Sequence, residues 1–493
     1  MNTTAQRQSK GFYVLLFAEM CERYSFYTFV YLLVLYLTNE RGMTDTEAGL
    51  LYGTVMSFVY LAVVAGGFVA DRVLGLRRSI QLGAVISAAG CALLSGGIAP
   101  NLALAALITG TGLFRGNVIS LLGCLFRLDT RQQEAAFSIY YMGINAGSFA
   151  ASLGSGYIAN AFGYSWAFAA AGIGQLLAFA IFVLGRRSLQ GQGMAPARRL
   201  LARPDGTGML LPVLVVVSVL AITGVISLLL PRADLAQGVL FSLSLLAVGY
   251  FMLEMRREHR AVRRRLSGLL VLFVFAVIFW AVYGQTDLSV ILYIERRVDH
   301  AILGELVPTT AFEGLNPIFV LLLAPVFAWL WLRLAMKNAD PSVPLKFVFG
   351  LISLALAFFV LKLGDTMTPA NSLVPPFWLV AFFLLFTVGE LCVSPIGMSL
   401  VSRLAPARLL GFTMGLWFLT EAIAKYLSGL INDFAAVPAD ATAAAAMIVF
   451  ADAFGDYGWM ALAGALALTP LVGLLRRLIS NQGPEGDNGR MMK

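Results

Sequence analysis

The chain has 493 residues, 59% hydrophobic and only 13% charged, with a mean hydropathy of +0.81. Soluble domains carry about 25% charged and about 45–50% apolar residues, so a soluble globular enzyme is excluded. The net charge of +8 marks no nucleic-acid partner, because the cations are spread over short segments between long apolar runs.

A membrane crossing needs about 20 mostly apolar residues. Fourteen such runs follow one another at 12–37, 47–70, 80–98, 102–126, 134–160, 165–185, 209–230, 235–255, 267–294, 312–335, 345–363, 374–402, 409–434 and 457–478. They are continuous and do not alternate, which predicts helices and not a barrel. The polar start Met1–Lys10, with Glu19, Glu22 and Arg23 inside the first run, predicts a retained first span and not a signal peptide. Cys21, Cys91, Cys124 and Cys392 all fall within apolar runs at spacings that suit neither a disulfide framework nor a metal site. They read as small buried apolar side chains.

Six runs precede the Gly-, Pro- and Arg-rich stretch 185–212, two follow it, and six more come after the basic run 256–265. This pattern predicts an all-α polytopic membrane protein with two six-helix bundles, at 1–188 and 266–480. Cytoplasmic linkers and an inserted transmembrane hairpin fill 189–265, and a polar cytoplasmic tail occupies 481–493. Two-half plans place a binding site between the halves near the midplane. The two middle runs contain no Lys or Arg and read as a lipid-facing connector.

Lys and Arg in short loops set orientation. The segments 1–11, 71–79, 127–133, 186–208, 256–266, 333–346, 403–408 and 476–493 hold 27 of the 35. The alternate loops hold only Arg41, Arg232, Arg296 and Arg297. Both termini are therefore expected inside, with an even number of crossings.

Ionisable residues within spans cost about 2.5–3.5 kcal/mol each at a helix centre and mark function. Glu19, Glu22 and Arg23 lie three and four residues apart, on one helical face, with Tyr27 a turn further on. Arg115 sits between Gly112 and Gly116, which allow a close neighbour. Glu390 precedes Ser394-Pro395, and Glu421 with Lys425 forms an i,i+4 pair able to satisfy itself. Acids and arginines from three spans predict a polar cavity. Among enzyme and pump signatures, HExxH, GxSxG and GxxxxGK[ST] are all missing, so a membrane enzyme and an ATP-driven pump are disfavoured.

Gly67-Phe68-Val69-Ala70-Asp71-Arg72-Val73-Leu74-Gly75-Leu76-Arg77-Arg78 resembles the GxxxDRxGRR loop of the major facilitator superfamily. Glu19-Met20-Cys21-Glu22-Arg23-Tyr24-Ser25-Phe26-Tyr27 resembles the ExxERFxYY signature of the proton-dependent oligopeptide transporter (POT or PTR) family. Tyr140 to Ser148, the FWxxxEQ-like Phe279 to Gln285, Leu315-Asn316-Pro317, Gly389-Glu390 with Ser394 to Gly397, and Met414 to Trp417 extend that likeness from about residue 15 to 430.

The resemblance implies a proton-coupled secondary transporter of prokaryotic type in the bacterial inner membrane. It would import di- and tripeptides or peptide-like molecules by alternating access, with protons as coupling ion and neither a cofactor nor an obligate protein partner. It implies that Arg23 and Arg115 hold a peptide carboxylate and that Glu390 faces the amino group. Tyr27, Tyr60, Asn145, Trp280, Asn316, Ser394 and Trp417 would line the cavity, and Glu19, Glu22 and Arg23 would couple protons. Closure would use tight packing and ion pairs such as Arg115 with Glu390.

Four positions depart from the family pattern: Phe26 for tyrosine, Arg115 for lysine, Gly284 for glutamate and Val30 for arginine. Asp287, three residues after Gly284, is a possible substitute acid. The departures leave a second reading, a family carrier for a modified peptide, amino-acid derivative or other organic anion with altered proton coupling.

Overall fold

Apolar segments surrounded by lipid must close their backbone hydrogen bonds internally, and every expected crossing is a helix. The computed structural model describes residues 3–126, 130–189, 191–194, 210–302, 304–406, 408–438 and 440–479. The expected tail at 481–493 and the linker at 195–209 lie outside the described residues.

The first half contains α1 (Thr3–Leu35), α2 (Asp45–Val69), α3 (Leu76–Ser95), α4 (Pro100–Leu125), α5 (Thr130–Phe162) and α6 (Tyr164–Gly185). A hairpin follows, α7 (Leu210–Leu229) and α8 (Ala233–Arg256). The second half contains α9 (Arg260–Tyr283), α10 (Ser289–Arg297), α11 (Thr309–Glu313), α12 (Leu315–Met336), α13 (Val343–Met367), α14 (Phe377–Leu404), α15 (Leu410–Ile431), α16 (Ala443–Leu468) and α17 (Val472–Ile479). Among the described residues, ten helical stretches are long and apolar enough to cross a membrane. The helices α1, α5, α7 and α15 occupy the other four expected positions.

Two expected runs are interrupted. The run 267–294 is α9, a 3₁₀ turn at Gly284–Asp287, and α10, with Leu288 outside helical geometry at φ −121°, ψ −98°. The run at 312–335 is preceded by α11, and a small antiparallel pair, Ala301–Ile302 with Glu305–Leu306, lies before it. Hydropathy stays high on both sides of each break, so it carries no signal there.

Within the first half α1 packs on α5 and α6, α3 on α4 and α6, and α2 on α4; within the second, α13 packs on α14 and α16, and α9 on α15. The α2–α4 crossing is close because both helices present glycine. A Cβ on Gly66 would lie 2.1 Å from the Gly112 carbonyl oxygen, and one on Gly112 would lie 2.6 Å from Ala62 backbone. Backbone cannot yield as a side chain can. Gly66→Ala is therefore expected to destabilise by about 1–3 kcal/mol, read as a lowered midpoint in detergent thermal unfolding. An unchanged midpoint would contradict this packing.

Gly75 links the basic loop to α3 with φ +77°, a conformation that favours glycine. Arg77 then donates to the Leu189 carbonyl at 3.0 Å and to the Gln192 carbonyl at 2.5 Å, tying this loop to the segment after α6.

Contact between the halves is concentrated at one end, which carries the cation-poor loops. A single apolar cluster there joins Phe29 to Leu35 of α1 with Tyr36 and Leu37 just beyond it, Tyr52 to Val59 of α2, and Leu288, Ile291 and Leu292 of the second half. The corresponding cluster at the other end of the first bundle contains first-half residues alone. Polar contacts reinforce the closed end. Thr44 and Glu47 form a capping box that starts α2 and fixes Asp45 in its first turn. Asp45 then accepts two bonds from Arg296, at 2.6 and 2.7 Å, and one from the Val437 N–H at 3.1 Å. Asn432 donates to the Asp45 carbonyl, Thr46 to Asp433, and Thr310 to the Ser152 carbonyl. Gly53 and Gly429 let α2 and α15 touch, since a Cβ on Gly53 would lie 2.9 Å from the Gly429 Cα.

The hairpin lies outside this arrangement. Thr223 of α7 donates to Thr109 of α4 at 3.0 Å, α8 lies against α2 and α15, and Arg408 reaches Glu254 and Glu258. Leu214, Leu228, Leu245 and Leu246 point outward and exposed, as a lipid-facing connector requires.

Candidate functional site

The site grows from α1. The spacing of Glu19, Glu22 and Arg23 places them on one face, and all three are buried to within 1%. Arg23 Nε lies 3.1 Å from Glu19 Oε1, and its Nη2 contacts the Glu22 carboxylate. One cation thus serves two acids. The second carboxylate oxygen of Glu19 has no hydrogen-bond partner.

Phe26 stands one turn further on, and its ring is shared by two guanidinium groups. Arg23 Cζ lies 5.0 Å from the ring centroid and Arg115 Cζ 5.5 Å. The Arg115 guanidinium also lies 5.5 Å from the Tyr60 ring. The ring face kept at position 26, without a hydroxyl, attracts both cations. Arg115 Nη1 is buried without a hydrogen-bond partner, which leaves a charged donor free for an anion.

The second half supplies the acid. Glu390 Oε2 accepts from Tyr283 Oη and from Asn316 Nδ2, both at 2.9 Å, and Asn316 also donates to Thr387 at 3.1 Å. The expected Arg115–Glu390 ion pair is not formed. Among the described residues Glu390 has no cation partner, because neutral donors on α9 and α12 hold it while the closure lies at the Asp45 end.

The Glu421–Lys425 pairing is also corrected. Lys425 Nζ donates to Asp287 Oδ2 at 2.7 Å, while Glu421 faces Arg115 and Tyr60 of the first half. The 3₁₀ turn explains the choice, since it carries Asp287 to the ammonium. A Cβ on Gly284 would meet Ser428 Oγ at 2.3 Å and lie 3.6 Å from Lys425 Nζ. Position 284 thus points at the same ammonium that Asp287 reaches, without room for a side chain.

The remaining expected residues separate into two groups. Tyr27 stacks on Tyr31 at 5.5 Å, Asn145 donates to the Tyr141 carbonyl at 2.9 Å, and Ser394 lies half-buried one turn beyond Glu390. Trp280 packs edge-on to Tyr283 at 4.9 Å, with its indole N–H unpartnered. Trp417 differs: it is 1% exposed, fills the space at Gly397 and packs on Phe273 at 5.8 Å. In this conformation it is a core side chain and not a cavity wall.

Sequence reasoning missed Tyr283, which donates to Glu390, although it lies inside the FWxxxEQ-like segment. It also missed Glu313 and the Asp45–Arg296 pair. Each partner of that pair lies in a different half, 251 residues apart.

Comparison with known proteins agrees with this arrangement. The model of the POT family matches residues 77–460. The chain is 33% identical over 447 residues to dipeptide and tripeptide permease A of Salmonella typhimurium, covering 90% of this chain and 87% of that one. It is 30% identical over 494 residues to dipeptide and tripeptide permease B of the same organism, covering 98% and 100%. A crystal structure of the peptide transporter POT in complex with sulfate superposes with a TM-score of 0.81 at 29% identity, over 97% of this chain and 99% of that one. A structure from work on substrate recognition in proton dependent oligopeptide transporters gives 0.81 at 25% identity, over 96% and 100%. With its two helical bundles and inserted hairpin, the chain has the major facilitator fold and belongs to the POT family.

Proposed function

We propose that this chain is a proton-coupled secondary transporter, not an enzyme, that imports di- and tripeptides or peptide-like molecules by alternating access. It resides in the bacterial inner membrane with both termini cytoplasmic, uses protons as its coupling ion, and needs neither a cofactor nor an obligate protein partner. Residues 1–188 and 266–480 are the two rocking halves, and 189–265 connects them.

The observation that carries this reading is the separation of charge between the halves. Arg23 and Arg115, with an unpartnered guanidinium N–H, stand on the first half. Glu390, held by neutral donors without a cation, stands on the second. A zwitterionic peptide has a carboxylate for the one and an ammonium for the other. Tyr27, Tyr60, Asn145, Asn316, Ser394 and Trp280 supply hydrogen-bonding groups and aromatic faces around it. Binding of both ends draws the halves together, which is the step alternating access needs. Protonating Glu22 removes a competitor for Arg23 and releases the guanidinium to the peptide carboxylate.

With the cation-rich loops inside, the end closed by Asp45 and Arg296 is the outer one, and the molecule faces inward. The second reading, an altered substrate with altered coupling, draws on Gly284, where the acid of the family pattern has no room.

Uptake by proteoliposomes tests the reading, with dipeptides, tripeptides and blocked peptides offered with and without an inward proton gradient. Concentrative uptake of unblocked peptides is expected. Uptake of blocked or anionic compounds alone would replace it with the second reading. Asp287→Asn is expected to leave peptide counterflow intact and to lower the stimulation by a pH gradient about tenfold, the weight of one lost proton step. A wild-type response would remove Asp287 from coupling.

A further inference from the structure

Glu313 ends α11 just before the break at Gly314 and is 3% exposed, with Oε1 lacking any hydrogen-bond partner. Its charged neighbours are Asp287 on the 3₁₀ turn and Lys425 on α15. From the first half, the phenols of Tyr31 on α1 and Tyr52 on α2 face it.

The other elements packed on α11 bring no bonded countercharge to it; His300 lies against Phe312 at 5.6 Å, with its ring nitrogens at the Val307 and Ile294 carbonyls. On α5, Ser148 is bonded to Tyr31 at 2.7 Å, and the Ser152 carbonyl receives Thr310. On α10, Glu295 is bonded to Thr309, Arg296 to Asp45 and Arg297 to Asp365. On α12, Asn316 is committed to Glu390. Lys425 itself donates to Asp287 at 2.7 Å and lies 5.9 Å from the Tyr52 ring centroid. One ammonium therefore stands beside three acids, Asp287, Glu313 and Glu421, and Asp287 already has it. An ionised Glu313 here would be a buried charge without a partner, whereas a neutral carboxyl needs none.

The place matters as much as the burial. α11 itself belongs to the outer closure: it packs on α1 and α5 of the first half, and Thr310 bonds the Ser152 carbonyl there, while Tyr52 and Lys425 act on Glu313 from α2 and α15, the helices that touch at Gly53 and Gly429. Parting them admits water to the carboxyl; joining them expels it.

We propose that Glu313 is a proton-binding gate residue: the outer end seals around its neutral carboxyl and opens when that carboxyl ionises. On closing, a proton from outer water forms the O–H bond on Glu313. On opening, that bond breaks and the proton returns to water, with the carboxylate hydrated and near Lys425. The residue acts on transport through the gate and does not touch the peptide. This proton leaves by the side it entered, so it sets the gate equilibrium and is distinct from the coupled proton; the inference rests on the proposed transport cycle for its gate, but its test needs no substrate.

Spin labels at Arg41→Cys and Asp440→Cys, both exposed loop positions on opposite halves of the closed end, report the gate distance. The four native cysteines are replaced in this form, and distances are recorded from about pH 5 to about pH 9 without peptide, a range in which carboxyls buried in apolar surroundings titrate. The open-to-closed ratio is expected to rise with pH by up to about tenfold per unit, the linkage of one proton. Glu313→Gln is expected to stay closed with no pH slope, and Glu313→Asp to keep the slope. Glu313→Met asks the same question should the glutamine variant fail to fold. A wild-type slope in Glu313→Gln or Glu313→Met, or no slope in the parent protein, overturns the proposal. Failure of the transport reading looks different: the pH slope persists while proteoliposomes take up no peptide.

Discussion

Glu390→Ala is expected to lower peptide uptake at least about thirtyfold while the protein stays folded in detergent. Its carboxylate is held by two neutral donors and, among the described residues, pairs with no cation, whereas Glu421 has Arg115 beside it and Asp287 has Lys425. Losing a desolvated charge partner costs a ligand about 2–5 kcal/mol, and each 1.4 kcal/mol is tenfold. Glu390→Gln separates charge from scaffold, because a glutamine carbonyl still accepts from Tyr283 or Asn316. It is expected to be nearly as inactive as alanine, with an unchanged melting midpoint. On the first half, Arg23→Ala should abolish uptake as well but also destabilise, since it leaves Glu19 and Glu22 buried without their cation. Zwitterionic peptide uptake at wild-type rate by either Glu390 variant would sink the proposed orientation of the substrate.

The second large effect concerns the outer closure. Asp45 is 5% exposed and Arg296 32%. The pair is therefore asymmetric, and so are its deletions. Without Asp45, the arginine is rehydrated where it stands. Without Arg296, a buried carboxylate keeps only the Val437 N–H and the favourable first turn of α2. Arg296→Ala is expected to weaken the closed state by about 2–3 kcal/mol, moving the gate equilibrium about thirty- to hundredfold toward open. Asp45→Ala should do less. The double variant should be closed more often than Arg296→Ala alone, because it removes the stranded charge. Gate distances between labelled outer loops measure all three. Equal effects of the two single variants would mean that burial does not decide the energetics of this contact.

Much of the site was legible in the sequence for a local reason. Glu19, Glu22 and Arg23 are three and four residues apart, and a helix of fixed pitch must gather them on one face. The α1 triad follows from that spacing alone. Tyr283 and Asn316 were each within recognisable motifs, but their meeting at Glu390 joins α9, α12 and α14, and no spacing encodes it. Trp417 shows the limit of motif transfer, since its surroundings, Gly397 and Phe273, bury it against the bundle.

Taken alone, the sequence determined the membrane, the fourteen crossings, the halves with their inserted hairpin, and the few ionisable groups worth watching. These depend on hydropathy and helical pitch, which act over one or two turns. Outside the α1 triad, tertiary structure alone decided which ions pair. Lys425 has Glu421 one turn away, yet bonds Asp287 from 138 positions earlier, because a 3₁₀ turn breaks the expected helix and delivers that acid. It also decided that Asp45 meets Arg296, that Glu390 stays free of Arg115, and that Glu313 is left without a partner. Pairing in a low-dielectric interior falls to whichever group the packing brings within reach, and the packing belongs to the whole chain.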